Sequence, residues 1–146
     1  MKDVQANTDN CKLKLHKIYA QNISFNRSDN YSEKNSKFDI KVGYEIADSE
    51  DKSKTKVNVK VEINDKEENA LSIDVSLCGI FSMRPNNKEN EKFFTKQSLA
   101  ILFPYLRSLI TTITAQAEIR PIVLPPINFN ALIDEQYKNK ENKNKK

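Results

Sequence analysis

His16 is the single imidazole of the chain, so histidine-based acid, base or metal chemistry has one place to occur. It stands near Lys14 and Lys17 in a stretch of strand character, with no partner spaced to orient its ring, and an unoriented imidazole makes a poor general base. His16 is read as an exposed surface residue. Glu67 and Glu68 are neighbouring carboxylates, but a shared proton requires burial that shifts their acidity, and both fall in a polar connection. They are read as solvated turn charges. Cys11 and Cys78 are the only thiols, and neither has the clustered Cys, His or carboxylate company that zinc requires. With two glycines and no glycine-rich loop there is no phosphate cradle either. The residues therefore predict a protein that is not an enzyme and that uses no cofactor and no metal.

The formal charge of +4 invites a nucleic-acid reading until its location is considered. Residues 138–146 hold five Lys and one Glu, which accounts for all of it, and the remaining body carries 19 basic and 19 acidic side chains. A balanced body offers no field for phosphate, so no nucleic-acid partner is predicted. Lys and Asn together make up 37 of the 146 residues, and runs such as Asp48–Lys54 and Asn86–Glu91 are read as solvated loops. Met1–Asn10 is polar and has no apolar centre of the kind a signal peptide needs. A cytoplasmic protein with reduced thiols is expected. The most apolar stretch, Leu99–Ala115, contains Pro104 and Arg107 and is too short and polar for a membrane span.

The elements that would position any functional surface are visible as periodicities. Leu13 and Leu15 share a face, Ile18 and Tyr19 shift phase, and Ile23 and Phe25 resume alternation, which predicts a first strand with a bulge or bend near Lys17. Phe38, Ile40, Val42, Tyr44 and Ile46 alternate with Asp39, Lys41 and Glu45 in a second strand. Val57, Val59, Val61 and Ile63 mark a third, and Leu71, Ile73, Val75 and Leu77 a fourth, joined through the polar Asn64–Asn69. An antiparallel four-stranded meander is predicted. Past Gly79 and a polar loop, the spacing of Leu99, Leu102, Phe103, Leu106, Leu109, Ile110, Ile113 and Ala117 is helical. Pro104 suggests that this helix begins near it or kinks there. The helix is apolar on two faces and one sheet covers only one, so burial of the second between subunits is expected. Ile119–Pro126 should be a stiff extended crossing with three prolines. Asn128 or Asn130 can cap a second helix whose amphipathic face holds Phe129, Leu132, Ile133, Gln136 and Tyr137.

What remains is apolar surface in excess of an obvious core. Phe38, Tyr44, Leu124, Ile127, Phe129, Leu132 and Ile133 are candidates for a groove between the second helix, the crossing loop and the sheet, against the alternative that they pack inward as core. Leu102, Leu106, Leu109, Ile110 and Ile113 are the candidates for an interface between subunits.

Four stretches together carry a family resemblance: Ile101-Leu102-Phe103-Pro104-Tyr105-Leu106-Arg107, Leu124 through Leu132 (LPPINFNAL), Lys17 through Phe25 (KIYAQNISF) and Cys78-Gly79-Ile80-Phe81-Ser82. They resemble the SecB family, which typically has an ILFPYxR motif on its long helix and a proline-containing turn ending in NFDAL before its second helix. Asn130 stands here where Asp is usual. The resemblance runs in collinear order over about residues 12–137, which sets the predicted chaperone domain between a disordered 1–11 segment and a disordered lysine-rich 138–146 tail. It implies an α+β fold, a four-stranded antiparallel sheet followed by two helices, packed as a homotetrameric dimer of dimers with the long helices between sheets. It further implies an ATP-independent holdase that binds unfolded precursor polypeptides in apolar grooves and keeps them competent for Sec-dependent export.

Two departures qualify what the resemblance implies. The chain has no Trp, and Ile133 replaces a Phe common after the Ala-Leu of the second-helix motif, so client preference is expected to differ. The family docks the translocation ATPase SecA through acidic residues on the outer sheet face, and the matching positions here are Asn22, Asn26 and Asp74. Losing two acids weakens attraction to a basic partner. A chaperone dedicated to an antitoxin or other single partner, without SecA docking, is therefore the alternative expectation, and a structural adaptor that keeps the fold without binding clients is a third.

Overall fold

The computed structural model describes residues 13–35, 37–67, 69–82 and 88–145. The 1–11 segment, Cys11, Glu68 and the first residues of the polar run from Asn86 lie outside the described residues. The elements in chain order are β1 (Lys14–Arg27), a short 3-10 turn (Glu33–Asn35), β2 (Phe38–Asp48), β3 (Thr55–Asp65), β4 (Leu71–Ser82), α1 (Lys88–Gln116) and α2 (Phe129–Asn144).

All four strands pair antiparallel, in the order β1-β4-β3-β2. This corrects the expected meander: β2, β3 and β4 are joined by hairpins, but β1 lies beside β4 instead of β2, the strand order of a Greek key. The β1–β2 connection makes this feasible, being long enough to cross the sheet end and anchored where Ser28 N donates to Ala70 O at 2.7 Å. β1 shifts register between Leu15 and Lys17, where the broken alternation placed a bulge, and again between Ala20 and Asn22, where no break in the alternation announces it.

The inner sheet face is a dry apolar layer. Val57, Val59, Val61 and Ile63 of β3 alternate with half-exposed or exposed polar residues, and Leu71, Ile73, Val75 and Phe81 of β4 complete it. Across it lies α1, whose Leu99, Leu102, Leu106 and Ile110 are fully buried. The approach is close at Gly79, where an added Cβ would sit 2.7 Å from a Phe81 ring carbon and 2.8 Å from Leu102 Cδ2. Any side chain at residue 79 would displace the Phe81 ring and the Leu102 side chain from their packing between sheet and helix.

α1 departs from expectation at both ends of the argument about Pro104. The helix starts at Lys88 and passes through Pro104 without ending. Pro104 is exposed, so the main-chain carbonyl it leaves unpaired within the helix faces the solvent side. Glu91–Gln116 is long and apolar enough to cross a membrane by length and composition, contrary to the reading of Leu99–Ala115, but the row packed on β3 and β4 makes it a core helix. Its C-terminus closes with Glu118 in the left-handed region at φ 59°, Ile119 N donating to Thr114 O and Glu118 N to Ala115 O. α2 continues through Asn144, so residues 138–144, expected to be disordered, are helical in the structure. Lysine is a good helix former, and Lys143 in the last turn complements the negative end of the helix dipole.

Candidate functional site

The crossing between α1 and α2 is extended, and it is held from below by two threonines. Thr114, fully buried in α1, accepts from Ile122 N at 2.9 Å while its hydroxyl hydrogen points back to the carbonyls of Ile110 and Thr111. Thr111 Oγ1 donates to Ile122 O at 2.9 Å. Both main-chain groups of one loop residue are thus satisfied by one helix, as buried polar groups require. With Ile122 fixed, Ile119, Ile122 and Leu124 turn inward and Val123 stays exposed.

Asn128 then starts α2, its Oδ1 accepting from Ala131 N at 3.1 Å; of the two candidate caps, this one is used. The first turns of α2 are clamped to α1. Phe129 packs edge-on against Phe103 at 4.9 Å between centroids, and Asp134 Oδ1 lies 2.5 Å from Lys92 Nζ and 3.1 Å from Lys96 Nζ. These two ammonium groups hold the Asp134 carboxyl below its ordinary value.

The clamp sets α2 beside β2, and between them runs a cleft of about 340 Å³ lined by Tyr44, Glu45, Ile46, Thr95, Gln136, Tyr137 and Lys140. The Tyr44 phenol is held above its ordinary pKa, first by burial and then by the neighbouring Tyr137. Lys140 Nζ stands 5.7 Å from the Tyr137 ring centroid and Lys92 Nζ 5.9 Å.

The wall formed by β2 has a second property that follows from its register. Lys66 N donates to Lys37 O, and at the other end Ser49 N donates to Lys54 O, with an unbroken ladder between them. Since 37 and 49 both point their main-chain groups at β3, so do the odd residues between them, and the groups of Phe38, Ile40, Val42, Tyr44 and Ile46 point away from it. β2 has no second strand neighbour among the described residues. The same five even residues carry the apolar side chains, Ile40 to Ile46 opposite the buried row of β3. An open hydrogen-bonding edge and an apolar wall therefore belong to one set of residues.

The groove expected from sequence is only partly of this kind. Tyr44 lines the cleft, and Phe38, Ile127 and Leu132 are partly buried on the core. Leu124, Phe129 and Ile133 are not surface: they are buried within the subunit, because the tethered loop and clamped helix fold them onto α1 and the sheet. Of the expected interface residues, Leu102, Leu106 and Ile110 likewise belong to the subunit's own core, being on the helix row that meets the sheet. Leu109 and Ile113 are half-buried beside a face that exposes Tyr105 and, one end further, Phe93. The cleft also contains residues not assigned to it from sequence. Tyr137 and Gln136 were visible on the amphipathic face of α2 and Ile46 in the alternation of β2; Thr95 and Lys140 gave no signal.

On the outer sheet face, Asn22, Asn26 and Asp74 do come together. Asn22 and Asn26 pair with Ser76 and Ser72 on either side of the Ser24–Asp74 pair, and Asn22 Nδ2 donates to Asp74 O at 3.3 Å. The remaining acid is offset: Lys60 Nζ is 3.0 Å from Glu62 and 3.6 Å from Asp74. Nearby, Gln21 Oε1 accepts from Cys78 Sγ and from Asn58 Nδ2, so the described thiol is buried within an amide cluster. His16 is exposed on Ser82, at 2.8 Å. Among the described residues no group of three or more His, Cys, Asp or Glu could hold a metal ion.

Residues 5–140 match the sequence model of the family described as preprotein translocase subunit SecB. An uncharacterized protein of Methanocaldococcus jannaschii is 42% identical over 62 residues, covering 42% of this chain and 40% of that one. The protein-export protein SecB of Ehrlichia canis is 31% identical over 78 residues, covering 47% of this chain and 44% of that one. These alignments span less than half the length of either relative. Among solved structures, the Mycobacterium tuberculosis SecB-like chaperone Rv1957, in complex with a ChAD peptide from the HigA1 antitoxin, superposes with a TM-score of 0.66. The superposition covers 80% of this chain and 92% of that one at 12% identity, so the likeness is one of fold.

Proposed function

The chain belongs to the SecB family, and on that footing we propose that it is a chaperone that holds unfolded precursor polypeptides, without ATP and without catalysis, in a state competent for export. The observation that carries this reading is the coincidence on β2 of an open main-chain edge with a row of apolar side chains beside α2. An unfolded chain has two things a folded one hides: unpaired amides in extended runs and alternating apolar side chains. A wall that answers both binds by strand addition and side-chain burial together, with little dependence on the particular sequence. Phe38, Tyr44, Ile127 and Leu132 are its proposed client-facing residues, with Ile46 and Tyr137. Such shallow contacts gain strength when several grooves engage one long client, which suits a dimer of dimers built on the exposed face of α1 through Leu109 and Ile113. The protein works in the cytoplasm in this reading, where precursors emerge unfolded.

The second reading, a chaperone dedicated to an antitoxin or another single partner, is favoured by one feature of this chain. On the face proposed for SecA docking, two positions are the amides Asn22 and Asn26, and the third, Asp74, shares Lys60 with Glu62. A face with one acid at the docking positions and a lysine beside it gives a basic partner less to steer toward.

Titration with an unfolded precursor, followed by SecA, tests both readings in one calorimetric series. Client uptake followed by SecA binding supports the export role; client uptake with no heat from SecA moves the assignment to a dedicated partner. Failure to take up any unfolded client refutes the chaperone reading altogether.

A further inference from the structure

The cleft beside β2 opens toward the last turns of α2, and that end of the helix is unlike the rest of the surface. Residues 138–145 are exposed throughout and carry Lys138, Lys140, Lys143 and Lys145 against the single Glu141. None of these four lysines has a carboxylate within ion-pair distance among the described residues, whereas Lys92 and Lys96 are occupied by Asp134. Lys145 stands at the C-cap, beside the carbonyls of the helix end. Lys140 and Lys143, three residues apart, share one side of α2, whereas Lys138 lines the neighbouring groove with Lys92, Asp134, Tyr137 and Glu141. Lys140 lines the cleft itself, with Tyr44, Ile46 and Tyr137. The apolar cleft thus runs into an unneutralised cationic helix.

From this juxtaposition we infer that the client segments this protein prefers are apolar stretches followed by acidic residues, the apolar part lying along β2 and the carboxylates reaching Lys140 and Lys143. The inference rests on the client-binding role proposed above and specifies its substrate class. An anionic membrane surface fits the arm less well, because residues 138–145 contain no apolar side chain to insert. Glu45 lines the cleft with Lys140 and repels a carboxylate inside it, so the acidic residues of the client lie beyond the cleft, on the α2 side.

Two fluorescent peptides with the same alternating Val-Tyr-Ile core, one ending in a short run of Asp and the other of Lys, are titrated into the full chain by fluorescence anisotropy. With two exposed charge pairs, each contributing modestly, the Asp-tailed peptide should bind roughly five- to tenfold more tightly at low salt. The two affinities should converge at high salt. The double variant Lys140→Gln/Lys143→Gln should lose the preference while keeping the affinity seen at high salt, and Lys140→Glu/Lys143→Glu should reverse it. Equal binding of the two peptides at low salt, or a preference that survives in the Gln variant, overturns the acidic-client inference while leaving the chaperone reading in place. Absence of binding by either peptide at every salt concentration overturns both.

Discussion

Replacing Thr114 by Val keeps the shape of a fully buried side chain and deletes one oxygen. That oxygen is the acceptor for Ile122 N at 2.9 Å, and Ile122 is itself buried, so the substitution leaves an amide with no partner and no ready access to water. An orphaned buried donor costs about 1–3 kcal/mol. The hydroxyl's own bonds to Ile110 O and Thr111 O are worth less, since the first of these carbonyls also has its helical partner. Against this, valine no longer carries a hydroxyl into the core, which offsets part of the loss. The expected net destabilisation is about 1–2 kcal/mol, or about 2–8 °C in midpoint for a chain of this size. Thermal and urea unfolding should be followed by circular dichroism at fixed protomer concentration, because assembly contributes to apparent stability. Native-state hydrogen exchange locates the effect: the Ile122 amide should lose protection in Thr114→Val and keep it in Thr114→Ser. A Val variant that unfolds at the wild-type midpoint with Ile122 still protected would refute the proposed tether.

Other expectations follow from single features of the helices. Asn128→Ala removes the N-cap of α2 and should cost about 1 kcal/mol in urea unfolding, with the loss of helical signal preceding that of the sheet. Glu118→Gly relieves a side chain from the left-handed conformation and should raise stability by up to about 1 kcal/mol in the same assay. Leu109→Asp, on the face proposed to meet another subunit, should lower the mass seen by light scattering while circular dichroism stays native; Leu102→Asp, in the subunit core, should abolish folding instead. Asp134 has a folded pKa below its unfolded one, so its clamp to Lys92 and Lys96 stabilises at pH above the unfolded value and is lost as pH falls through the folded one. Asp134→Asn should therefore differ from wild type at neutral pH and match it in strong acid, when unfolding midpoints are compared across that range.

The strands β2 to β4 were legible because each alternates cleanly and each hairpin joins neighbours, so local pattern and pairing agree. The position of β1 was not: pairing with β4 is a contact across the whole sheet sequence, and periodicity identifies a strand without naming its neighbour. Pro104 misled because its cost depends on where the helix turns it, and here it turns outward. The division of apolar residues between core and surface was the least legible feature. Leu102 and Leu109 are both leucines on one helical stripe, yet about two turns along the helix separate a fully buried position from a half-open one. Leu124, Phe129 and Ile133 were drawn inward by contacts that no spacing announces: the threonine tether and the clamp of Asp134 between two lysines.

The far end of α2 has a mechanical consequence. Its first turns are fastened by Phe103 and by Lys92 and Lys96, but residues 138–145 rest on nothing, so no packing energy opposes their unwinding. A short, lysine-rich helix segment without tertiary support is close to its own coil transition. As helix it spans about 12 Å, and as extended chain about 26 Å. Unwinding would therefore more than double the radius over which its charges can meet a passing chain, at a cost of only the last two helical turns, while the clamped half of the helix stays in register with the sheet.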